Sequence, residues 1–244
     1  MYILRSLYHR NFRIHFIGQA VSLVGSWMQR IAISWLVYSM TGSALMLGIV
    51  AFVSLIPSLL LSPFIGSFID QNNKYRVLVA AQMGLMVQAG VLALLVWFGW
   101  HTMPLILILS LMQGIFNAVE VNARQSFMLE LVEDKQDLPN AIALNSTVFN
   151  AARIVGPAIG GLILSQYGEA WCFLINFLSF IGVLVSLMLI RVDTAPVKGQ
   201  HESTWEGLKQ GYRYLQDHPQ LKALILLVAF SSLLVIPYTT LLPV

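Results

Sequence analysis

Glu120 and Arg124 stand four residues apart inside a run that is otherwise almost wholly apolar. One helical turn separates them, so a carboxylate and a guanidinium share a face and can pair. Such a carboxylate can carry a proton, and the arginine beside it can tune the proton's release. Asn117 and Gln113 extend the same face. An earlier apolar run places Gln19, Ser22, Ser26, Gln29 and Arg30 at three- and four-residue steps, with Gly18 and Gly25 beside them. A later run does the same with Asn145, Asn150 and Arg153. Ionisable groups inside hydrocarbon are costly and turn toward protein or a water-filled cavity. The three sets therefore imply one central polar cavity, with Gln19, Ser26, Gln29, Arg30, Asn117, Asn150 and Arg153 as candidate solute contacts. The alternative is that these groups only satisfy one another within a packed bundle. Arg30 and Arg153 outnumber Glu120 within the spans, which points toward anionic or carbonyl-rich solutes.

The elements that must hold these residues are membrane helices. Hydrophobic residues form 57% of the 244-residue chain and charged residues 10%, against about 25% charged in an ordinary soluble domain. Mean hydropathy is +0.75. Seven runs are long enough to cross about 30 Å of hydrocarbon: Phe12–Met40, Leu45–Ile69, Arg76–Trp97, Pro104–Leu129, Pro139–Tyr167, Ala170–Ile190 and Leu221–Leu242. The fold class is all-α and polytopic. The first six runs form a bundle over residues 1–190, a linker occupies 191–220, and 221–244 holds the seventh span. Of the 14 basic residues, eleven fall on the side of the N-terminus, none on the other, and Arg30, Arg124 and Arg153 lie within the spans. The positive-inside rule then puts the N-terminus in the cytoplasm. In the linker, Ser203 and Glu206 fit a capping box. Trp205, Leu208, Tyr212 and Leu215 follow on one face, as in a short amphipathic helix on the cytoplasmic surface.

The same residues exclude several classes. One cysteine, Cys172, permits no intrachain disulfide and no Cys cluster for a metal. The basic residues are scattered and form no patch suited to nucleic acid. No glycine-rich phosphate loop, nucleophile elbow or zinc-protease helix is present, so neither an enzyme nor a cofactor is expected. Of the five histidines, only His15 lies deep enough in a span to test as a proton carrier.

Two further stretches are specific. In Asn150–Gly161, the residues Ala152, Gly156 and Gly160 form a smooth stripe for close helix packing. Pro157 should bend that helix one turn after Arg153. Gly66 and Asp70 close the second run and are followed by Lys74 and Arg76. Asp70 stands at a helix C-terminus, where the macrodipole disfavours an anion, so a cationic partner is expected, with Arg76 the nearest candidate.

Gly66-x-x-x-Asp70 with Lys74 and Arg76 resembles the gating loop of the major facilitator superfamily of transporters. Gly156-Pro157-x-x-Gly160-Gly161 resembles the motif associated with its exporters and antiporters. Asn11-Phe-Arg, Gly25-Ser-Trp-Met-Gln-Arg30, Trp35-Leu-Val-Tyr, Ala123-Arg-Gln-Ser and Leu138-Pro-Asn-Ala look like the branch of the enterobactin exporter and related efflux proteins. Departures include Gln71 where a basic residue is usual, and Ala143 and Ala152 where glycine is frequent. The resemblance implies a multi-pass protein of the bacterial inner membrane. It implies proton-coupled efflux of a small amphipathic molecule, a drug or a siderophore, by alternating access. Gly156, Pro157, Gly160 and Gly161 would then form hinge and seal. It further implies that this chain holds the first of two six-helix halves. Its partners would then be a small-molecule solute, protons, lipid and a C-terminal half, which can be a separate polypeptide. The reading from another class is a non-transporting membrane scaffold or an inert half-transporter.

Overall fold

A computed structural model describes residues 2–132, 134–190, 213–214, 216–224 and 226–227. Six long helices follow in order: α1 Arg10–Thr41, α2 Ala44–Gln71, α3 Lys74–Trp97, α4 Met103–Leu131, α5 Leu138–Tyr167 and α6 Glu169–Leu189. Short 3-10 segments, Tyr2–Tyr8 and Lys135–Asp137, precede α1 and α5. All six long helices have the length and apolar character to cross a membrane, and they coincide with the first six runs to within a few residues. Ser203, Trp205, Glu206, Leu208, Tyr212 and Leu215 of the predicted surface helix, and most of the run Leu221–Leu242, lie outside the described residues.

Local chemistry sets the helix ends. Gly42, at φ 59°, turns α1 off and donates its N–H to the Tyr38 carbonyl at 2.7 Å. That left-handed conformation costs glycine little. The Asn73 side chain accepts the Arg76 N–H at 3.0 Å, so α3 begins at Lys74, two residues before the apolar run. Pro104 and Pro139 occupy the first turns of α4 and α5, where a missing N–H is harmless. Gly168, at φ 85°, is the only residue between α5 and α6.

The packing is two-fold in pattern. α1 packs on α5 and α6, α4 packs on α2 and α3, and α3 packs on α6. Exchanging α1 with α4, α2 with α5 and α3 with α6 returns the same set of neighbours. Two three-helix repeats of opposite direction produce such a pattern.

Apolar side chains gather at the two ends of the bundle. Near the start of α1, Phe12, Ile69, Leu78, Phe127, Leu131 and Leu187 form one cluster. At the far end, Leu36, Val37, Leu47, Leu92, Ile106 and Phe173 form the other. Between them lies a polar layer of buried Gln19, Gln29, Gln82, Gln88, Glu120, Arg124 and Asn176. A third, smaller apolar cluster of Leu85, Ala89, Phe180 and Val183 joins α3 to α6.

The smooth stripe of α5 makes a close helix contact, and its neighbour is α1. Ala152, Gly156 and Gly160 are all buried. A Cβ on Gly156 would stand 2.6 Å from the Trp27 Cβ and 2.8 Å from the Val24 carbonyl oxygen, and one on Gly160 would stand 2.9 Å from the Met28 Cγ. Gly161 has open space within 4 Å of a built Cβ and takes no part in this contact. Helix α5 runs without interruption from Leu138 through Pro157 to Tyr167.

At the end of the bundle where the chain starts, buried Asp137 ties the N-terminal segment to α5. It accepts from Arg5 Nε at 2.8 Å and meets His9 Nε2 at 3.0 Å. Ser6 Oγ donates to the Asp137 carbonyl at 2.8 Å. Hydrogen bonds to charged groups contribute about 1.5–3 kcal/mol each. Asp137→Asn is expected to free residues 2–9, accelerating their limited proteolysis several-fold (about 3–10 times) and lowering the midpoint of thermal unfolding. Unchanged cleavage in this segment would show that the anchor lies elsewhere.

Candidate functional site

Helices α1, α3 and α4 converge on one oxygen. Glu120 Oε1 accepts from Arg124 Nε at 2.9 Å, Gln82 Nε2 at 3.2 Å and Gln19 Nε2 at 3.3 Å. Arg124 Nη1 donates in turn to Asn145 Oδ1 of α5 at 3.0 Å. Glu120 and Arg124 are both 5% exposed. The pair is therefore withdrawn from water, and removing either partner would strand the other at a cost of about 3–5 kcal/mol. All three donors use Oε1, and among the described residues none donates to Oε2.

Beside the pair opens a cavity of about 360 Å³, within the size range of small-molecule sites. Its wall contains Gln19, Ser26, Arg30, Asn117, Glu120, Arg124, Asn145 and Asn150. It also contains residues that the reading of three helices missed. Gln82 and Leu85 of α3 and Phe180 of α6 are among them. The available signal was Gln82 itself, one of two amides, with Gln88, in an otherwise apolar run.

Gln29, expected in the cavity, lies elsewhere. It sits about 100° round the helix from Arg30 and is 1% exposed. Its Nε2 donates to Gln88 Oε1 at 3.0 Å, and its Oε1 accepts from Asn176 Nδ2 at 2.8 Å. Ser179 Oγ donates to Asn176 Oδ1 at 3.1 Å. These amides join α1, α3 and α6. Gln29→Leu is expected to destabilise the bundle by about 1–3 kcal/mol, because Gln88 and Asn176 lose their buried partner. Chemical denaturation in detergent measures it, and a more stable variant would mean that the network is dispensable.

Arg153 stands on the exposed side of α5, outside the cavity wall proper. Its guanidinium lies 5.8 Å from the centre of the Trp27 ring, and that of Arg30 lies 4.5 Å from the same ring. The two guanidiniums thus lie around one indole ring. His15 is 5% exposed, and among the described residues neither ring nitrogen has a hydrogen-bond partner. Its ring meets Phe127 edge-on at 6.2 Å, and with Arg124 and Gln19 it borders a small void of about 10 Å³.

The expected pairing of Asp70 with Arg76 does not form. Both side chains are exposed, and among the described residues neither makes an ion pair. Lys74 instead meets Glu130 of α4 at 3.1 Å. The reason lies in the helical period of α3: Lys74 and Arg76 stand about 200° apart round the axis, so with Lys74 toward α4 Arg76 lies on the outer face. Gly66 has no neighbour within 4 Å of a built Cβ. Among the described residues no cluster of His, Cys, Asp and Glu is suited to a metal.

Residues 3–244 match a family model described as transmembrane secretion effector. The chain is 33% identical over 228 residues to the Staphyloferrin A transporter of Staphylococcus aureus, covering 91% of this chain and 55% of that protein. It is 22% identical to the Macrolide efflux protein A of Streptococcus pyogenes, covering 93% and 56%. It is 25% identical to the Multidrug efflux pump Tap of Mycolicibacterium fortuitum, covering 87% and 54%. The chain thus spans about half the length of the curated relatives it matches.

Proposed function

The chain belongs to the transmembrane secretion effector family of the major facilitator superfamily, and from that premise we propose that its six-helix bundle is the proton-binding half of an exporter. The bundle is set in the cell membrane with the N-terminus in the cytoplasm. A second bundle, on the same or another polypeptide, closes the other side of the cavity. The two rock against each other so that the cavity opens to one side of the membrane at a time. The solute is a small amphipathic molecule.

The observation that carries this reading is Glu120. It is held by donors on α1, α3 and α4 through one oxygen, while the residue borders the cavity. Oε2 is the position for the transported proton. With Oε2 protonated, Oε1 still accepts from Gln82 and Gln19, but Arg124 loses its counter-charge. An uncompensated guanidinium in this layer is unstable, so protonation shifts Arg124 toward Asn145 on α5. Helix α5 packs on α1 through Gly156 and Gly160, and a displaced Asn145 moves that contact. The charge change at Glu120 is thereby coupled to the helix pair that borders the cavity.

The test is a proton flux. Membrane vesicles holding the chain with its second bundle, fused or co-expressed, are loaded with a pH-reporting dye. Addition of a transported drug such as ethidium or erythromycin is expected to drive proton movement, and a protonophore is expected to abolish drug accumulation. Folded protein that binds drug yet moves neither drug nor protons favours the non-transporting scaffold and rejects the exporter.

A further inference from the structure

We infer that Arg30 and Trp27 on the cavity wall, together with Arg153 just outside it, form a corner that recognises a solute bearing two or more carboxylates. This rests on the export reading of the same cavity and narrows its substrate class. Charge is the first ground. Glu120 is the acid of the cavity wall, and it is already paired with Arg124. Among the described residues, Arg30 and Arg153 have no carboxylate within ion-pair reach. The corner therefore carries two uncompensated positive charges. Mutual repulsion makes that arrangement costly until an anion enters.

Rigidity is the second ground. Trp27 is held from one side by the close approach of Gly156, and its ring meets Phe149 edge-on at 5.7 Å. Both guanidiniums gather on this ring, at 4.5 and 5.8 Å from its centre. Stacking on an indole is worth about 0.5–2 kcal/mol, and it leaves the N–H donors of each arginine free. A planar guanidinium presents those donors as a fork that fits a carboxylate at two points. Two forks fixed on one ring match two carboxylates on one small molecule. Ser26 and Asn150 on the same wall offer neutral donors to its hydroxyl or carbonyl groups.

Depth is the third ground. Arg153 lies near the middle of α5, about 20 Å from either end at 1.5 Å per residue. Lipid headgroups sit at the ends of such a helix, so the anion that fits this corner is a solute.

Citrate serves as the probe, with its neutral trimethyl ester as the matched control. Binding to the full purified chain is measured by calorimetry in nanodiscs, without any ion gradient. Citrate is expected to bind about tenfold or more tightly than the ester, since the ester forfeits every charge-assisted contact. The affinity should fall as salt rises. Arg30→Gln and Arg153→Gln should each weaken citrate by about tenfold or more, while binding of the ester stays unchanged. Equal affinity of the parent chain for citrate and ester would overturn the proposal, whatever the variants do. So would unaltered citrate binding in the doubly substituted chain, or displacement of citrate when phosphatidylglycerol replaces phosphatidylcholine in the disc. Because no translocation is read, citrate selectivity can persist when export fails. Conversely, proton-driven efflux of a neutral drug can persist when citrate selectivity is absent. The two readings thus fail separately.

Discussion

Glu120→Gln is expected to abolish proton-driven efflux in the assembled transporter, by about 100-fold or more, the scale on which a positioned proton-transfer group contributes. The amide keeps an oxygen where Oε1 stands, so Gln19, Gln82 and Arg124 retain an acceptor. What the variant loses is the ability to bind and release a proton, along with the negative charge facing Arg124. Downhill exchange of solute across vesicles without a pH gradient should survive. Stability should fall, because Arg124 becomes a buried cation without a counter-charge. Combining Glu120→Gln with Arg124→Gln removes that orphan, and the double variant should be more stable than the single one while remaining uncoupled. Glu120→Asp retains a titratable carboxyl and should retain some coupling. Full proton-driven efflux by Glu120→Gln would sink the assignment of Glu120 as proton carrier.

Gly156→Leu is expected to be the most damaging single change at the helix contacts. A side chain there would enter the space of the Trp27 Cβ at 2.6 Å and the Val24 carbonyl at 2.8 Å. Overpacking in a well-filled core costs about 1–3 kcal/mol when side chains can shift. Here one obstacle is backbone, so α1 and α5 must separate and the cost should reach or exceed that range. Separation also moves Trp27, and with it the corner where Arg30 and Arg153 meet. The measurement is thermal unfolding in detergent, paired with drug efflux. Gly161→Ala supplies the contrast within the same motif. Its Cβ meets nothing within 4 Å, and alanine favours a helix over glycine by about 1 kcal/mol. It should be neutral or stabilising. Equal damage at both positions would mean that the motif acts through backbone flexibility and not through contact with α1.

These two positions also show how far the sequence could be read. Length and hydropathy located six helices, because crossing hydrocarbon demands about 20 apolar residues whatever the neighbours are. Four-residue spacing put Glu120 and Arg124 on one face, and they do pair at 2.9 Å. The small-residue stripe of α5 likewise follows from period alone. Helix caps were legible only in part, since Asn73 lengthened α3 by side-chain geometry that hydropathy does not register.

Partner choice was not legible. A helical period gives the angle between residues on one helix, but it does not say which neighbour that angle faces. Gln29 and Arg30 are adjacent in sequence, yet one joins a buried amide network and the other borders the cavity. Lys74 and Arg76 both follow Asp70, yet Lys74 reaches across to Glu130 and Arg76 faces outward. Gln82 supplies a donor to Glu120 from α3, a helix outside the three whose polar faces implied the cavity.

By itself, then, the sequence determined a membrane bundle, a buried acid–base pair and a close-packing stripe. Each follows from local period and from the cost of polarity in hydrocarbon. The tertiary structure decided that three helices share one carboxylate oxygen and that two arginines meet on one indole. Those outcomes depend on how each helix is rotated against its neighbours, which is fixed by packing across the bundle and not by any single stretch of chain.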